Sequence, residues 1–164
     1  MQTGLVRCQI QFIYNRKAMA NLSCIPKSEK QSIVNRWVGQ ALKLMLLTSS
    51  HVPNAGEDHY VSDVVGNEVI DANDIYTAGG VDIVNMVASP DPALPNNYFL
   101  DADNVTIGPG TTITYRHGII YEDMGTGNQA INPIRAEIDF IEEQVITDGI
   151  SIIIWNDLGI IYVS

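Results

Sequence analysis

The sequence predicts a mainly β fold: an antiparallel β-sandwich with one N-terminal amphipathic helix packed on it. The first indication is a pair of stretches, Thr111–Glu122 and Ile134–Ile141, in which apolar and polar residues alternate on either side of a Gly-containing loop. This period of two is typical of paired strands with one buried face. The second is a series of short apolar runs separated by turn residues, which brings the total to about seven strands. The third is a single helical pattern that precedes them.

The predicted helix begins at Ser28, which is followed three residues later by Gln31. This spacing is that of a capping box, in which the two side chains satisfy the free N–H groups of the first turn. Apolar residues with helical spacing then predict one buried stripe. The stripe consists of Ile33, Val34, Trp37, Val38, Ala41 and Leu42. We expect Trp37 to anchor the helix in the core.

The two alternating stretches are expected to pair with each other in one sheet. Their apolar side chains are expected to share one face, because a slip of one residue would expose all of them. This face would consist of Ile113, Tyr115, Ile119, Ile134, Ile138 and Phe140. Other strands are predicted at Lys43–Thr48, Gly80–Ser89 and Tyr98–Ile107, with a terminal hairpin of Ile150–Trp155 and Leu158–Val163 around Asn156-Asp157.

The sequence divides into a basic N-terminal arm, residues 1–26, and one domain, residues 27–164. Met19 is an alternative start within the arm. The polar, turn-rich stretch His51–Gly79 is longer than most loops of a compact domain, which favours an interaction surface. The residues predicted to contact a partner lie in these two regions: Arg7, Arg16, Lys17, His59, Tyr60 and Tyr76.

The composition is that of a globular, acidic protein. The chain has 164 residues, of which 46% are hydrophobic, and a net charge of −10. Seven basic residues and one acidic residue lie in positions 1–45, whereas the remainder holds two basic and eighteen acidic residues. The acidic balance argues against nucleic-acid binding, which depends on Lys and Arg at phosphates. Neither a signal peptide nor an apolar run long enough for a membrane span is recognisable.

No group of residues has the spacing of a catalytic, cofactor or metal site, so a non-enzymatic protein is expected. Asp101, Asp103 and Asn104 resemble the start of a calcium loop but lack its downstream Gly and Glu, which favours solvated carboxylates. The three histidines are scattered, and His117 is expected to be a neutral, hydrogen-bonded core residue. Cys8 and Cys24 have no framework spacing and are expected to be free thiols.

An ordered series of short blocks resembles a group of small structural proteins encoded among the virion genes of tailed bacteriophages. The resemblance covers about residues 42–164. The blocks are Leu46–Ser50 with Pro53-Asn54, Tyr76–Gly80, Leu100–Asp103, Ile119–Asp123, Ala136–Phe140, Asp148-Gly149, Ile154–Asn156 and Gly159-Ile160. Residues 1–41 depart from the usual start of the group.

The resemblance implies a non-enzymatic virion component that is made in the bacterial cytoplasm, a capsid decoration or cement protein on the head surface. Its implied partners are other virion proteins, above all the major capsid protein, and further copies of itself. A tail or fibre component that contacts host glycans is one alternative, which an exposed cluster of Tyr60, Tyr76 and Trp155 would favour. A small hydrolase or metal enzyme is the second alternative, which a cleft with convergent polar groups would favour.

Overall fold

The computed structural model describes residues 20–21, 27–155 and 159–163, and this part of the chain is mainly β, as predicted. The helices are α1 (Lys27–Val38) and α2 (Val61–Val64). The strands are β1 (Ala20–Asn21), β2 (Leu42–Leu47), β3 (Val81–Asp82), β4 (Val87–Pro90), β5 (Tyr98–Asp101), β6 (Val105–Glu122), β7 (Ile134–Ile153) and β8 (Ile161–Val163). Short 3₁₀ turns lie at Val65–Asn67 and Gln129–Ile131.

The strands form two four-stranded sheets. The first has the order β1-β8-β5-β4, and the second has the order β3-β2-β6-β7. Neighbouring strands are antiparallel, except that β1 and β8 are parallel. Two long strands, β6 and β7, therefore form one side of the second sheet.

The predicted pairing of Thr111–Glu122 with Ile134–Ile141 is confirmed, but the single apolar face is wrong. Residues Phe140–Glu143 of β7 lie opposite Arg116 alone, between the pairs Tyr115 with Gln144 and His117 with Asp139. Ile141 within this bulge has a positive φ of 67°. The alternation of β6 changes across this irregularity. Ile113 and Tyr115 lie in one core cluster, whereas Ile119 and Tyr121 lie in another. The apolar residues of β6 are therefore distributed over both faces of the sheet.

Two core clusters result, one on each face of the second sheet. The larger cluster contains Ile113, Tyr115 and Ile138, together with Leu100 of β5 and Trp37 of α1. The smaller cluster contains Ile119 of β6 and Met45 of β2, and it is closed by Val61 and Val64 of α2. Both faces of β2 are consequently buried, which agrees with its continuous apolar sequence.

Helix α1 begins at Lys27, one residue before the predicted start, and it buries a narrower stripe than predicted. Lys30, Val34 and Trp37 are buried, whereas Val38 and Ala41 are exposed. The buried residues are spaced i, i+4 and i+7, as one face of a helix requires. Lys30 can join this stripe because its aliphatic stem packs while its Nζ donates to Asn97 Oδ1, at 3.4 Å.

The predicted terminal hairpin is wrong. Residues Ile150–Ile153 are the end of β7, where Ser151 and Ile153 pair with Ile107 and Val105 of β6. Strand β8 instead joins the first sheet between β5 and β1. The predicted turn at Asn156-Asp157 lies outside the described residues. Strand β7 thus continues through Gly149 to Ile153 instead of ending before Gly149.

Three other predicted segments differ from the structure. The run Gly80–Ser89 divides into β3 and β4, and Tyr98–Ile107 divides into β5 and β6; each pair of strands belongs to different sheets. The stretch His51–Gly79 is not left free of the core, because it contains α2 and the buried Val69 and Tyr76. The buried apolar residues of this stretch have no regular spacing, so the sequence did not predict a helix or strand here.

Candidate functional site

The register of the second sheet brings distant polar residues to one edge of the smaller core cluster. Leu47, His117 and Asp139 lie side by side across β2, β6 and β7. In the next row, Met45 and Ile119 lie beside Glu137. Residues directly opposite each other in neighbouring strands share a face. His117, Glu137 and Asp139 therefore project on the side that α2 covers.

His51 reaches this edge from the loop that follows β2. Its side chain is buried, and its Nε2 lies 2.8 Å from Glu137 Oε1, a hydrogen bond between residues 86 positions apart. The same nitrogen lies 4.0 Å from Asp58 Oδ2. One ring nitrogen thus faces two carboxylates.

A tight turn positions Asp58. The backbone N–H of Asn54 donates to Asp58 Oδ2, at 2.8 Å, and the N–H of Asp58 donates back to the Asn54 carbonyl, at 2.8 Å. The N–H of Gly56 donates to Asn54 Oδ1, at 3.1 Å. Asn is favoured in such turns because its short side chain bonds to backbone two residues away. Asp58 Oδ2 thus accepts from the turn and also faces His51.

His117 is buried, as predicted, but it is not fully hydrogen-bonded. Its Nδ1 has no hydrogen-bond partner. Its ring meets that of His51 edge to face, with the centroids 5.6 Å apart and an interplanar angle of 80°. Burial lowers the pKa of His117 despite the nearby carboxylate of Asp139. Asp139 is engaged elsewhere, because its Oδ1 accepts from Arg116 Nε at 2.8 Å.

The carboxylates carry the charge that a cation would need. Burial raises the pKa of Glu137, and the hydrogen bond from His51 only partly offsets this. One ligand atom from each of His51, Asp58 and Glu137 lies within 4.8 Å of the other two. The group therefore combines an imidazole with two carboxylates at distances that a small rearrangement could close around a metal ion.

A second buried polar group has a structural role. Asp71 accepts hydrogen bonds from the N–H groups of Asn73, Ile75 and Tyr76 and, across to β6, from the N–H of Thr112 and the hydroxyl of Thr111. Burial alone would raise the pKa of Asp71, but these bonds hold it well below its usual range. Asp71 thus fixes the segment after Ile70 against β6.

The residues predicted to bind a partner differ in their exposure. His59 and Tyr60 are exposed, with Tyr60 43% exposed. Tyr76 is only 4% exposed, so its selection as an accessible residue is wrong. Its hydroxyl donates to Glu68 Oε1 at 2.9 Å and accepts from the N–H of Leu46 at 3.0 Å. Arg7, Arg16 and Lys17, like Cys8 and Cys24, lie outside the described residues.

Tyr60, Tyr76 and Trp155 do not form the exposed aromatic cluster that would favour glycan binding. Trp155 is buried, and its Nε1 donates to the Asp103 carbonyl at 2.8 Å. Of the three aromatic residues, Tyr60 alone is exposed. Asp101 and Asp103 are solvated, as expected, and Asp103 Oδ2 accepts from Asn85 Nδ2 at 2.6 Å.

The sequence pattern did not indicate the grouping of His51, Asp58, His117 and Glu137. His51 and Asp58 lie on one loop, but neither has a second histidine or carboxylate at a spacing typical of a metal site. In the sequence, Glu137 occupies a polar position of an alternating strand, where a charged residue is expected to face solvent. The pairing of β2 with β6 and of β6 with β7 brings these residues together.

Neither a protein-family model, nor a curated protein, nor a solved structure gives a match to this chain. None of the helices in the described residues has both the length and the apolar character needed to cross a bilayer.

Proposed function

We propose that this protein is a non-enzymatic structural component of a tailed-bacteriophage particle, a decoration protein on the head surface. The proposal starts from the ordered blocks between residues 42 and 164. Its structural support is an apolar stripe along the end of β7 and the residue that follows it, made of the exposed aliphatic residues Val145, Ile150, Ile152 and Ile154. Adjacent exposed aliphatic residues of this kind mark surfaces that contact other proteins.

The position of β7 makes this surface suitable for subunit contacts. Strand β7 has 20 residues and, in the described part of the chain, pairs along its length on one side only, with β6. An unpaired strand edge presents N–H and C=O groups that a neighbouring chain can bind. The major capsid protein is the partner that the proposal names, with further copies of this chain as secondary neighbours. Repetition over a lattice makes weak single contacts sufficient.

We further propose that the two sheets pack face to face as a β-sandwich. The larger core cluster draws Leu42, Leu44 and Leu46 from the second sheet and Leu100 from the first. Ala88 of β4 and Tyr98 of β5 pack against it. Helix α1 contributes Val34 and Trp37 to the same core, which supports a helix packed on the sandwich.

The test is binding to undecorated heads of the phage that encodes this chain. The intact protein is expected to bind in a number that follows the capsid lattice. Val145→Asp and Ile152→Asp are expected to fold but to reduce occupancy, because each places a charge in the apolar stripe. Val84→Asp, which places the same charge at an exposed aliphatic residue outside β7, is the matched control. Sedimentation of the bound heads with quantitative gel analysis measures the occupancy.

The basic arm is tested in the same assay. Removal of residues 1–26, which contain Arg7, Arg16 and Lys17, is expected to weaken binding at low salt more than at high salt, because salt screens exposed charges over about 10 Å at 0.1 M. Unchanged occupancy at both salts would remove the arm from the interface. Binding to tails but not to heads would replace the decoration function with the tail or fibre alternative.

A further inference from the structure

Two of the three histidines in the chain are buried beside each other, which is an unusual use of a titratable residue. His51 is 5% exposed and His117 is 8% exposed. A buried polar atom without a hydrogen bond destabilises the folded state, and Nδ1 of His117 is such an atom. Beside this residue, the ring of His51 and two carboxylates provide the groups of a binding site.

We propose that His51, Asp58 and Glu137 bind one divalent transition-metal ion, for which Zn²⁺ is the reference. The proposal goes beyond the decoration function and does not depend on it. The imidazole of His51 and two carboxylates give a donor set with two negative charges, which the ion would neutralise. Such a mixed set of nitrogen and oxygen donors suits Zn²⁺ and its neighbours, whereas Ca²⁺ and Mg²⁺ prefer oxygen donors throughout.

The distances are close to those of a tetrahedral site. Zn²⁺ binds nitrogen and oxygen at about 2.0–2.2 Å, so its ligand atoms lie roughly 3–3.6 Å apart. His51 Nε2 now lies 2.8 Å from Glu137 Oε1 and 4.0 Å from Asp58 Oδ2. Opening the first distance and closing the second needs side-chain movements of about 1 Å or less.

The two imidazole rings have a compatible arrangement. Their centroids lie 5.6 Å apart, with the rings nearly perpendicular. His117 therefore packs against the ligand His51 at the side of the proposed site. Packing and strand pairing hold both rings in place before any ion arrives, which lowers the entropic cost of binding.

The ion would join the loop that carries His51 and Asp58 to strands β6 and β7. This loop leads directly to α2, which closes the smaller core cluster. A metal would replace the hydrogen bond between His51 and Glu137 by bonds to three side chains. We therefore expect the ion to stabilise the cover of this cluster rather than to catalyse a reaction.

Calorimetric titration of chelator-treated protein with ZnCl₂ tests the site, with Ca²⁺ and Mg²⁺ in parallel. One Zn²⁺ per chain is expected, with a higher melting temperature in Zn²⁺ and little effect of Ca²⁺ or Mg²⁺. Glu137→Gln is expected to weaken Zn²⁺ binding by at least about 10-fold. Asp58→Asn is a second variant in case Glu137→Gln does not fold. His59→Ala, an exposed histidine on the same loop, is the matched control and should bind like the parent.

Imidazole NMR resonances identify the ligands directly, because the chain has three histidines. Addition of Zn²⁺ is expected to shift the signals of His51 and His117 and to leave those of His59 unchanged. The proposal is overturned if the parent binds no Zn²⁺ at stoichiometric concentrations. Equal binding by Glu137→Gln, Asp58→Asn and the parent, or a shift of His59 as large as that of His51, would also overturn it.

Discussion

Asp71 shows how one buried carboxylate can join two segments of the chain. Both of its oxygens accept hydrogen bonds from donors: Oδ1 from the N–H groups of Asn73 and Thr112, and Oδ2 from Ile75, Tyr76 and the hydroxyl of Thr111. An amide in its place would turn an NH₂ group toward at least two of these donors. The site is therefore specific for the ionised acid.

Asp71→Asn is expected to lower the melting temperature at pH 7. A carboxylate with a depressed pKa stabilises the fold above its unfolded pKa of about 3.9, and this stabilisation is lost as the pH falls through the lower folded pKa. The difference in melting temperature between the parent and the variant should thus shrink below about pH 4. Thermal unfolding between neutral and acidic pH, followed by circular dichroism, measures this difference.

Asp74→Asn is the control for this experiment, since Asp74 is exposed on the same segment. Its melting temperature should follow that of the parent across the pH range. A constant difference between Asp71→Asn and the parent down to strongly acidic pH would contradict the role of the Asp71 charge.

At the scale of the elements, a change of alternation within β6 decides which of its residues enter each core. Ile113 and Tyr115 belong to the larger cluster, and Ile119 and Tyr121 belong to the smaller one. The change falls where the register between β6 and β7 shifts, between Tyr115 and His117. Tyr115 meets Phe140 edge to face at 5.0 Å on the larger side. One strand therefore contributes to two cores.

The substitution Ile138→Asp is expected to destabilise the protein by about 3–5 kcal/mol, because it buries an unpaired charge. Ile138 is 5% exposed and belongs to the larger cluster. Val145→Asp on the same strand should cost far less, because Val145 is 64% exposed. Urea unfolding of both variants gives the two free energies. If the two variants were equally stable, the assignment of the faces of β7 would be wrong.

At the scale of the whole molecule, negative charge is the dominant electrostatic feature. The net charge is −10, and three of the basic residues in the described part already face carboxylates. Lys43 lies between Asp82 at 3.4 Å and Asp123 at 3.6 Å, Arg116 binds Asp139, and Arg135 binds Glu122. The remaining acidic side chains repel one another, which disfavours the compact state.

Screening of this repulsion is expected to raise the melting temperature when NaCl increases from about 10 mM to about 300 mM. Choline chloride at the same ionic strength should give the same rise, which separates screening from the binding of Na⁺ at carboxylates. Differential scanning calorimetry at neutral pH measures the change. A melting temperature that falls with both salts would show that attractive ion pairs outweigh the repulsion.

The amino-acid sequence by itself determined the mainly β character and the pairing of β6 with β7. Both follow from the alternation of apolar and polar residues, because this period directly reflects the local geometry of a strand. The sequence likewise indicated that Trp37 enters the core and that His117 is buried, since each lies among apolar residues of the correct spacing. Such properties depend on neighbours a few positions away.

The tertiary structure alone decided the division of β6 between two cores, the continuation of β7 to Ile153 and the meeting of His51 with Glu137. The alternation of β6 changes where the register with β7 shifts, and no local residue pattern predicted this shift. Tyr76, which was predicted to be exposed, is buried. Its hydroxyl can be buried because it is hydrogen-bonded to the N–H of Leu46 and to Glu68. Contacts between residues far apart in the chain depend on strand register, which is fixed only when the whole sheet packs.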